Sequence, residues 1–212
     1  MMLINPFMVA ASTTKILMPF TTTSGLTDVA GGHSITLRGS PAISTSQSKF
    51  GNGALYIDSG TSLKINSTAT LNLDGLVPFT FEFWVYNTRD HYNVSFISMR
   101  ETPVYCPFVV MKGWTIIGNS TLTGFTILTP SPTVPLNQWA HVAIVGDGTN
   151  IKEYINGVLV ITTAHPNWSA GNNLLNIGQD SEDAFVGYMN DLRFSNTAIY
   201  TANFTPPTAA LT

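Results

Sequence analysis

Charge is what this sequence has least of. Among 212 residues, 9 are Lys or Arg and 12 are Asp or Glu, so 10% of the chain is charged, where soluble domains carry roughly 25%. The basic residues are scattered singly among neutral neighbours. A nucleic-acid binder, which needs clustered cations against phosphate, is thereby excluded. Cysteine is nearly absent as well. Cys106 stands alone, so no intramolecular disulfide and no cysteine-based metal site can form. Set between Tyr105 and Pro107, with His91 the nearest histidine in sequence, it reads as a small buried hydrophobe and not as a nucleophile. A chain that folds without oxidation suits a reducing compartment. No apolar run approaches the roughly 18 residues of a membrane span.

What replaces the charge is neither grease nor disorder. Hydrophobic residues make up 44% of the chain, and 28 Thr, 17 Ser and 17 Asn fill much of the rest. Disordered chains combine low hydrophobicity with high charge, the reverse of this balance. Thr-rich, β-branched, weakly charged composition suits the faces of β-sheets.

The chain reads as short strands separated by turn signals, the pattern of an all-β sandwich. Strands are expected over Lys15–Phe20, Ser34–Arg38, Ala54–Ile57, Ser62–Ile65, Phe79–Tyr86, Val94–Ser98, Val104–Met111, Trp114–Gly118, Gly124–Leu128 and Trp139–Val145. Side chains alternate along a strand. Phe79, Phe81, Phe83 and Val85 therefore share one face, and Thr80, Glu82, Trp84 and Tyr86 the other. With large groups on both faces, this strand is expected to be central and covered on both sides. In residues 151–162, Asn156-Gly157 separates two alternating runs, the preferred pair for a type I′ hairpin turn. No stretch keeps helical periodicity for three turns, although residues 196–202 suit a single helical turn. There is no repeat and no linker, so one domain over 15–212 follows an N-terminal arm, 1–14.

That arm opens MMLINPFMVAA. It lacks the basic start of a signal peptide, and Pro6 interrupts its apolar stretch. Sequons begin at Asn66, Asn93, Asn119, Asn167 and Asn203, a number that so much Asn, Ser and Thr produces by chance. No targeting signal is read. Met1, Leu3, Ile4, Phe7, Met8 and Val9 make the arm a candidate assembly element, because an apolar terminus frays unless something holds it.

Catalytic patterns are poor. Glycoside cleavage needs two carboxyls roughly 5–10 Å apart, which on one strand means acids at i and i+2 or i+4. Asp147 stands in a Gly-flanked turn, and Glu153 has no such partner. Asp180, Glu182 and Asp183 are closely spaced but fall in a loop, where a solvated cluster is the simpler reading. No Gly-X-Ser-X-Gly elbow is present. The expectation is no enzyme.

Five blocks resemble a known family. They are residues 49–58 (KFGNGALYID), 79–85 (FTFEFWV), 138–143 (QWAHVA) with the 151–160 hairpin, 174–178 (LLNIG) and 187–194 (GYMNDLRF). In this order they are similar to laminin G-like, concanavalin A-like jelly-roll domains, over about residues 15–212. The resemblance implies a two-sheet antiparallel jelly-roll sandwich. Residues 198–207 (AIYTANFTPP) are further similar to the endings of such domains in tailed-phage and marine-virus structural proteins.

The family hosts lectins, hydrolases, lyases and structural modules, so fold alone names no activity. What it implies for sites is threefold. A structural Ca²⁺ would use Asp191 with backbone oxygens near Gly53 and Pro19, carboxylate plus carbonyl being the donors Ca²⁺ takes. Sugar binding would use exposed aromatic faces and amides: Trp168 with Asn167 and Asn172, then Trp114 and Tyr92, while Trp84 and Trp139 are expected in the core. The leading functional expectation is a non-enzymatic virion protein, assembled in the host cytoplasm. It would be a capsid decoration or accessory subunit, bound to other capsid or tail proteins through the arm and self-associating as a trimer. The alternative is a receptor-binding fibre or spike lectin for host polysaccharide.

Overall fold

The computed structural model describes residues 13–66, 70–99, 108–118, 125–167, 174–179 and 183–212, without the side chains of 108, 125 and 183. The assembly-arm residues, Cys106, Trp168, Asn172, Asp180 and Glu182 lie outside the described residues.

The described chain is all strand and loop. In order it forms β1 (Thr14–Met18), β2 (Ser34–Arg38), β3 (Ala42–Ser44), β4 (Ala54–Ile57), β5 (Ser62–Asn66), β6 (Phe79–Asn87), β7 (Val94–Ser98) and β8 (Phe108–Met111). There follow β9 (Thr115–Gly118), β10 (Phe125–Leu128), β11 (Trp139–Gly146), β12 (Asn150–Ile155), β13 (Val158–Ala164), β14 (Leu174–Ile177), β15 (Asp183–Ala184) and β16 (Gly187–Ser195). Two sheets result. The first runs β13-β12-β11-β6-β16-β4-β3, with β1 also paired to β16. The second runs β10-β9-β8-β7-β14-β5-β2, with the short β15 lying parallel to β7. Every other strand pair is antiparallel, and the expected sandwich is present.

The core lies between the sheets. Phe81, Phe83, Ile144, Met189 and Phe194 from the first meet Ile65, Phe96, Val110, Ile117 and Ile177 from the second, all buried. Each fully buried side chain of this kind stabilises the fold by about 1.5–3 kcal/mol.

Strand β6 is central, and its outer face is covered as its sequence implies. Glu82 and Trp84 are buried there, and the cover is the chain after β16. Ala198, Tyr200 and Phe204 pack on Ala143, Val145 and Tyr154, and Tyr200 lies parallel to Phe204. This strap is not helical over residues 196–202. Its backbone donors are drawn to the sheet instead: Asn196 N–H donates to Thr13 O, Ile199 N–H to Thr80 Oγ1 and Phe204 N–H to Gly157 O. The 156–157 turn has the expected form, with φ of 51° at Asn156 and 77° at Gly157, both positive as type I′ requires.

Candidate functional site

Four aromatic residues from distant parts of the sequence meet on the outer face of the first sheet. Trp139 on β11 is registered with Tyr86 on β6. Tyr86 is registered with Tyr188 on β16, and Tyr188 with Tyr56 on β4. Strands about 4.8 Å apart bring side chains at one register position into contact. Ring centroids accordingly lie 5.7, 6.0 and 5.1 Å apart along the row, with interplanar angles of 64°, 79° and 44°. Such angled contacts hold each ring against the next. Tyr56, at one end, is 37% exposed, and the other three are half-buried. The face is therefore fixed by packing while part of each ring meets solvent.

One step along the strands the surface turns polar and then closes. Lys49 Nζ sits 3.8 Å above the Trp84 ring, a cation–π contact, and burial lowers its pKa. The Phe50 edge faces the same indole at 6.2 Å. Further along, under the strap, lies a buried ionic cluster. Glu82 Oε1 accepts from Arg193 Nε at 2.6 Å and pairs with its Nη2, while Oε2 accepts from Tyr200 Oη at 2.7 Å and contacts His141 Nε2 at 3.1 Å. Burial alone would raise the Glu82 pKa, but the His141 hydrogen bond and the Arg193 charge hold it below the ordinary value. Burial, together with the nearby Glu82 charge, lifts the adjacent Asp191 to about 6 against the pull of the Leu211 N–H.

Four described carboxylates belong to the fold. Asp147 accepts from the N–H groups of Thr149 and Asn150 and pairs with Lys152. Glu153 points into the core. Glu82 and Asp191 are inaccessible beneath the strap. Among the described residues, no group of three or more His, Cys, Asp or Glu is placed to hold a metal.

Of the sugar-site residues expected from sequence, Tyr92, Trp114 and Asn167 are among the described residues. Tyr92 is 61% exposed and lies against the Lys112-Gly113 turn, 5.3 Å from Lys112 Nζ. Trp114, half-buried, follows that turn. Asn167 is exposed beside Gly75. Trp139 departs from its expected core position. The inward residues of β11 are Ala140, Val142 and Ile144, so alternation turns Trp139 outward.

The calcium expectation meets a different arrangement. Pro19 and Gly53 do converge on β16, but Asn190, not Asp191, reaches between them. Its Nδ2 donates to Pro19 O at 3.0 Å and to Gly53 O at 3.0 Å. Asp191 accepts the backbone N–H of Leu211 at 3.0 Å with Oδ2, while its Oδ1 is buried without a hydrogen-bond partner. An amide N–H₂ fills the space between the carbonyls, so the residues present do not fit a cation there.

A groove of about 550 Å³ at one end of the sandwich has Lys15, Asn72 and Asn196 around Leu73, Val77 and Phe194. Its ring offers little stacking surface, since Phe194 already stacks on Phe81 at 4.6 Å.

The two-sheet topology, the FTFEFWV centre and the Asn-Gly hairpin agree with a match to a family model described as the concanavalin A-like lectin/glucanases superfamily, over residues 38–203. The chain belongs to that superfamily. Among solved structures, this lectin-type jelly roll is similar to domain 4 of a GH43 extracellular arabinanase from Geobacillus stearothermophilus, in complex with arabinotriose. The TM-score is 0.73 at 18% identity, over 88% of this chain and 94% of that one. It is also similar to the binding domain of Paraclostridial Mosquitocidal Protein 1 (TM-score 0.69, 11% identity, 88% and 49% covered). A third likeness is to a botulinum neurotoxin DC binding domain in complex with rat synaptotagmin II (0.66, 10%, 89% and 49%). The chain spans about half the length of these toxin domains. At such identities the likeness is one of fold. No characterised protein sequence matches the chain.

The aromatic row is not legible as a site in the sequence. Its members are spread from residue 56 to 188, and only the register between strands far apart in sequence brings them together.

Proposed function

We propose that the protein is a non-catalytic carbohydrate-binding module. Its contact surface is the Trp139–Tyr86–Tyr188–Tyr56 row, and it is carried on a phage particle as a decoration or accessory subunit. The row is the observation that supports this. Pyranose and furanose rings present C–H faces that pack on aromatic rings, while their hydroxyls need polar neighbours. Here Gln138, Asn137 and Thr88 are exposed beside the row. A membership shared with lectins and a likeness to an arabinanase domain bound to arabinotriose favour the same reading. The non-catalytic part is favoured by Glu82, Glu153 and Asp191, which are buried, and by Asp147, which is committed to a turn. The virion setting is favoured by the phage-like 198–207 segment, with residues 1–11 as the attachment element and a trimer as the assembly.

Isothermal titration with a panel of soluble polysaccharides and arabino-, xylo- and gluco-oligosaccharides tests the binding. At least one is expected to bind, with Tyr188→Ala weakening it tenfold or more and Tyr92→Ala leaving it unchanged. No heat from any sugar at millimolar concentration overturns the reading. Deleting residues 1–11 is expected to abolish incorporation into particles while leaving the domain folded, and normal incorporation overturns the virion role.

A further inference from the structure

Three backbone carbonyls, from Pro19, Phe20 and Gly53, point at a single atom. That atom is Asn190 Nδ2, at 3.0, 3.5 and 3.0 Å respectively. On the other side of the same carboxamide, Asn190 Oδ1 accepts the backbone N–H of Lys49 at 3.0 Å. The side chain is 1% exposed, so nothing but protein satisfies these groups.

The Lys49 N–H fixes which way the amide faces. Turned over, the N–H₂ would meet the Lys49 donor and the oxygen would meet three acceptors. Lys49 N–H would then lose its partner, at about 1–3 kcal/mol, while Gly53 O would keep only Ser48 Oγ and Pro19 O only the long contact from Asp191 N–H. Converging carbonyls of this kind need positive charge, and the amide hydrogens supply its partial form. A divalent ion cannot share the place. It would have to displace the N–H₂ and sit in a pocket of neutral carbonyls, and an unpaired buried charge is strongly unfavourable. The neighbouring Asp191 is a separate group: its Oδ2 accepts the Leu211 N–H, its Oδ1 is buried without a hydrogen-bond partner, and neither oxygen is a partner of the Asn190 amide.

We propose that Asn190 is an internal substitute for a cation. Its N–H₂ joins the β1 exit, the 49–53 loop and β16 without a metal, and replacing that one group by oxygen would open a Ca²⁺ site. Asn190→Asp keeps the side chain's shape. One carboxylate oxygen still accepts from Lys49 N–H, and the other replaces the donor with an acceptor. That oxygen then stands at the 3.0, 3.5 and 3.0 Å now spanned by Nδ2 from three carbonyl oxygens, a spacing between neighbouring ligands that suits the 2.3–2.6 Å bonds and flexible geometry of Ca²⁺ better than the rigid octahedron of Mg²⁺. Without metal, the same variant buries a carboxylate against three carbonyls and loses stability.

Thermal melts of the wild-type protein and Asn190→Asp, in EGTA and in millimolar CaCl₂ or MgCl₂, test this. The wild-type melting temperature is expected to be the same in all three. The variant is expected to melt below wild type in EGTA and to recover by about 5 °C or more when Ca²⁺ exceeds Kd a hundredfold, with little response to Mg²⁺. A variant that folds only with Ca²⁺ supports the same conclusion. A variant indifferent to Ca²⁺ overturns it. Titration of wild-type protein with CaCl₂ is a second reading that needs no variant. One-to-one binding that Asn190→Ala abolishes would show that the amide oxygen is a ligand and overturn the proposal, and no heat supports it.

Discussion

The hydroxyl of Tyr200 donates to Glu82 Oε2 across 2.7 Å, joining the strap to a carboxylate 118 residues earlier. Tyr200 also stacks on Phe204, with centroids 3.6 Å apart and planes 4° from parallel. One residue thus carries both the polar and the apolar attachment of the strap. Tyr200→Phe keeps the ring and removes the hydroxyl, so it isolates the charge-assisted hydrogen bond, worth about 2 kcal/mol. Urea unfolding should show a loss of that size, and Tyr92→Phe should stay within about 0.5 kcal/mol of wild type. Equal behaviour of the two variants would mean that the strap is held by stacking alone.

Glu153 is expected to make stability fall with rising pH. Its carboxyl is buried opposite Ile144, faces Thr115 and is pushed by burial to about 7 from an ordinary 4.5. A folded pKa above the unfolded one stabilises fully below the unfolded value and is lost as pH rises through the folded value. Asp191, raised to about 6, acts with the same sign. Asp28 and Glu82, both lowered, act oppositely and withdraw their contribution in acid. Stability should therefore be greatest between about pH 4 and 6 and decline by pH 8. Glu153→Gln should flatten the decline and raise stability at pH 8 by about 1–3 kcal/mol, because no carboxylate is then ionised in the core. Melting curves across pH settle it, and an unchanged slope in the variant would assign the decline elsewhere.

Gly157 does two jobs, and its replacement should separate from that of an ordinary turn glycine. At φ 77° it occupies the left-handed region, and an added Cβ would run into the Phe204 carbonyl. Gly51 has φ 86° with open space around it. Gly51→Ala is expected to cost about 1 kcal/mol of backbone strain. Gly157→Ala should cost about 2–4 kcal/mol, since strain and displacement of the strap combine. Chemical denaturation of both variants compares them directly.

The ends of the aromatic row should report ligand length. Trp139→Ala and Tyr56→Ala each remove a terminal ring, so each should weaken a long oligosaccharide about tenfold, the worth of one aromatic contact. A disaccharide seated on Tyr86 and Tyr188 should bind both variants like wild type. Titration with sugars of increasing length distinguishes these outcomes.

Local chemistry in the sequence reaches far into this fold. The Asn156-Gly157 turn, the two-faced β6 and the positions of β2, β4 and β7 follow from alternation and turn residues that act over a few positions. What local chemistry cannot supply is register. Trp139 sits outside because its strand pairs with β6 at Tyr86, a choice made far away in the chain. Asn190 shares the outer face with Tyr188, opposite Trp84, and the irregularity of β16 follows it, with φ of 50° at Asp191. The family resemblance points to its neighbour, and only the fold brings Pro19 and Gly53 to Asn190. The strap suits a helical turn by its local residues, but its hydrogen-bond partners, Thr80 and Gly157, are remote in the chain and hold it extended.

Strand β16 occupies the middle of the first sheet, with β6 on one side and β4 and β1 on the other. During synthesis from the N-terminus, β1, β4 and β6 therefore emerge without the strand that unites them. The β11–β13 meander can form on β6, but its other edge stays open until residues 187–195 are made. A ribosome stalled before that point would hold two unjoined half-sheets with bare apolar edges, the kind of surface on which chains aggregate. For this domain, the first sheet is completed only once its unifying strand, residues 187–195, has been made.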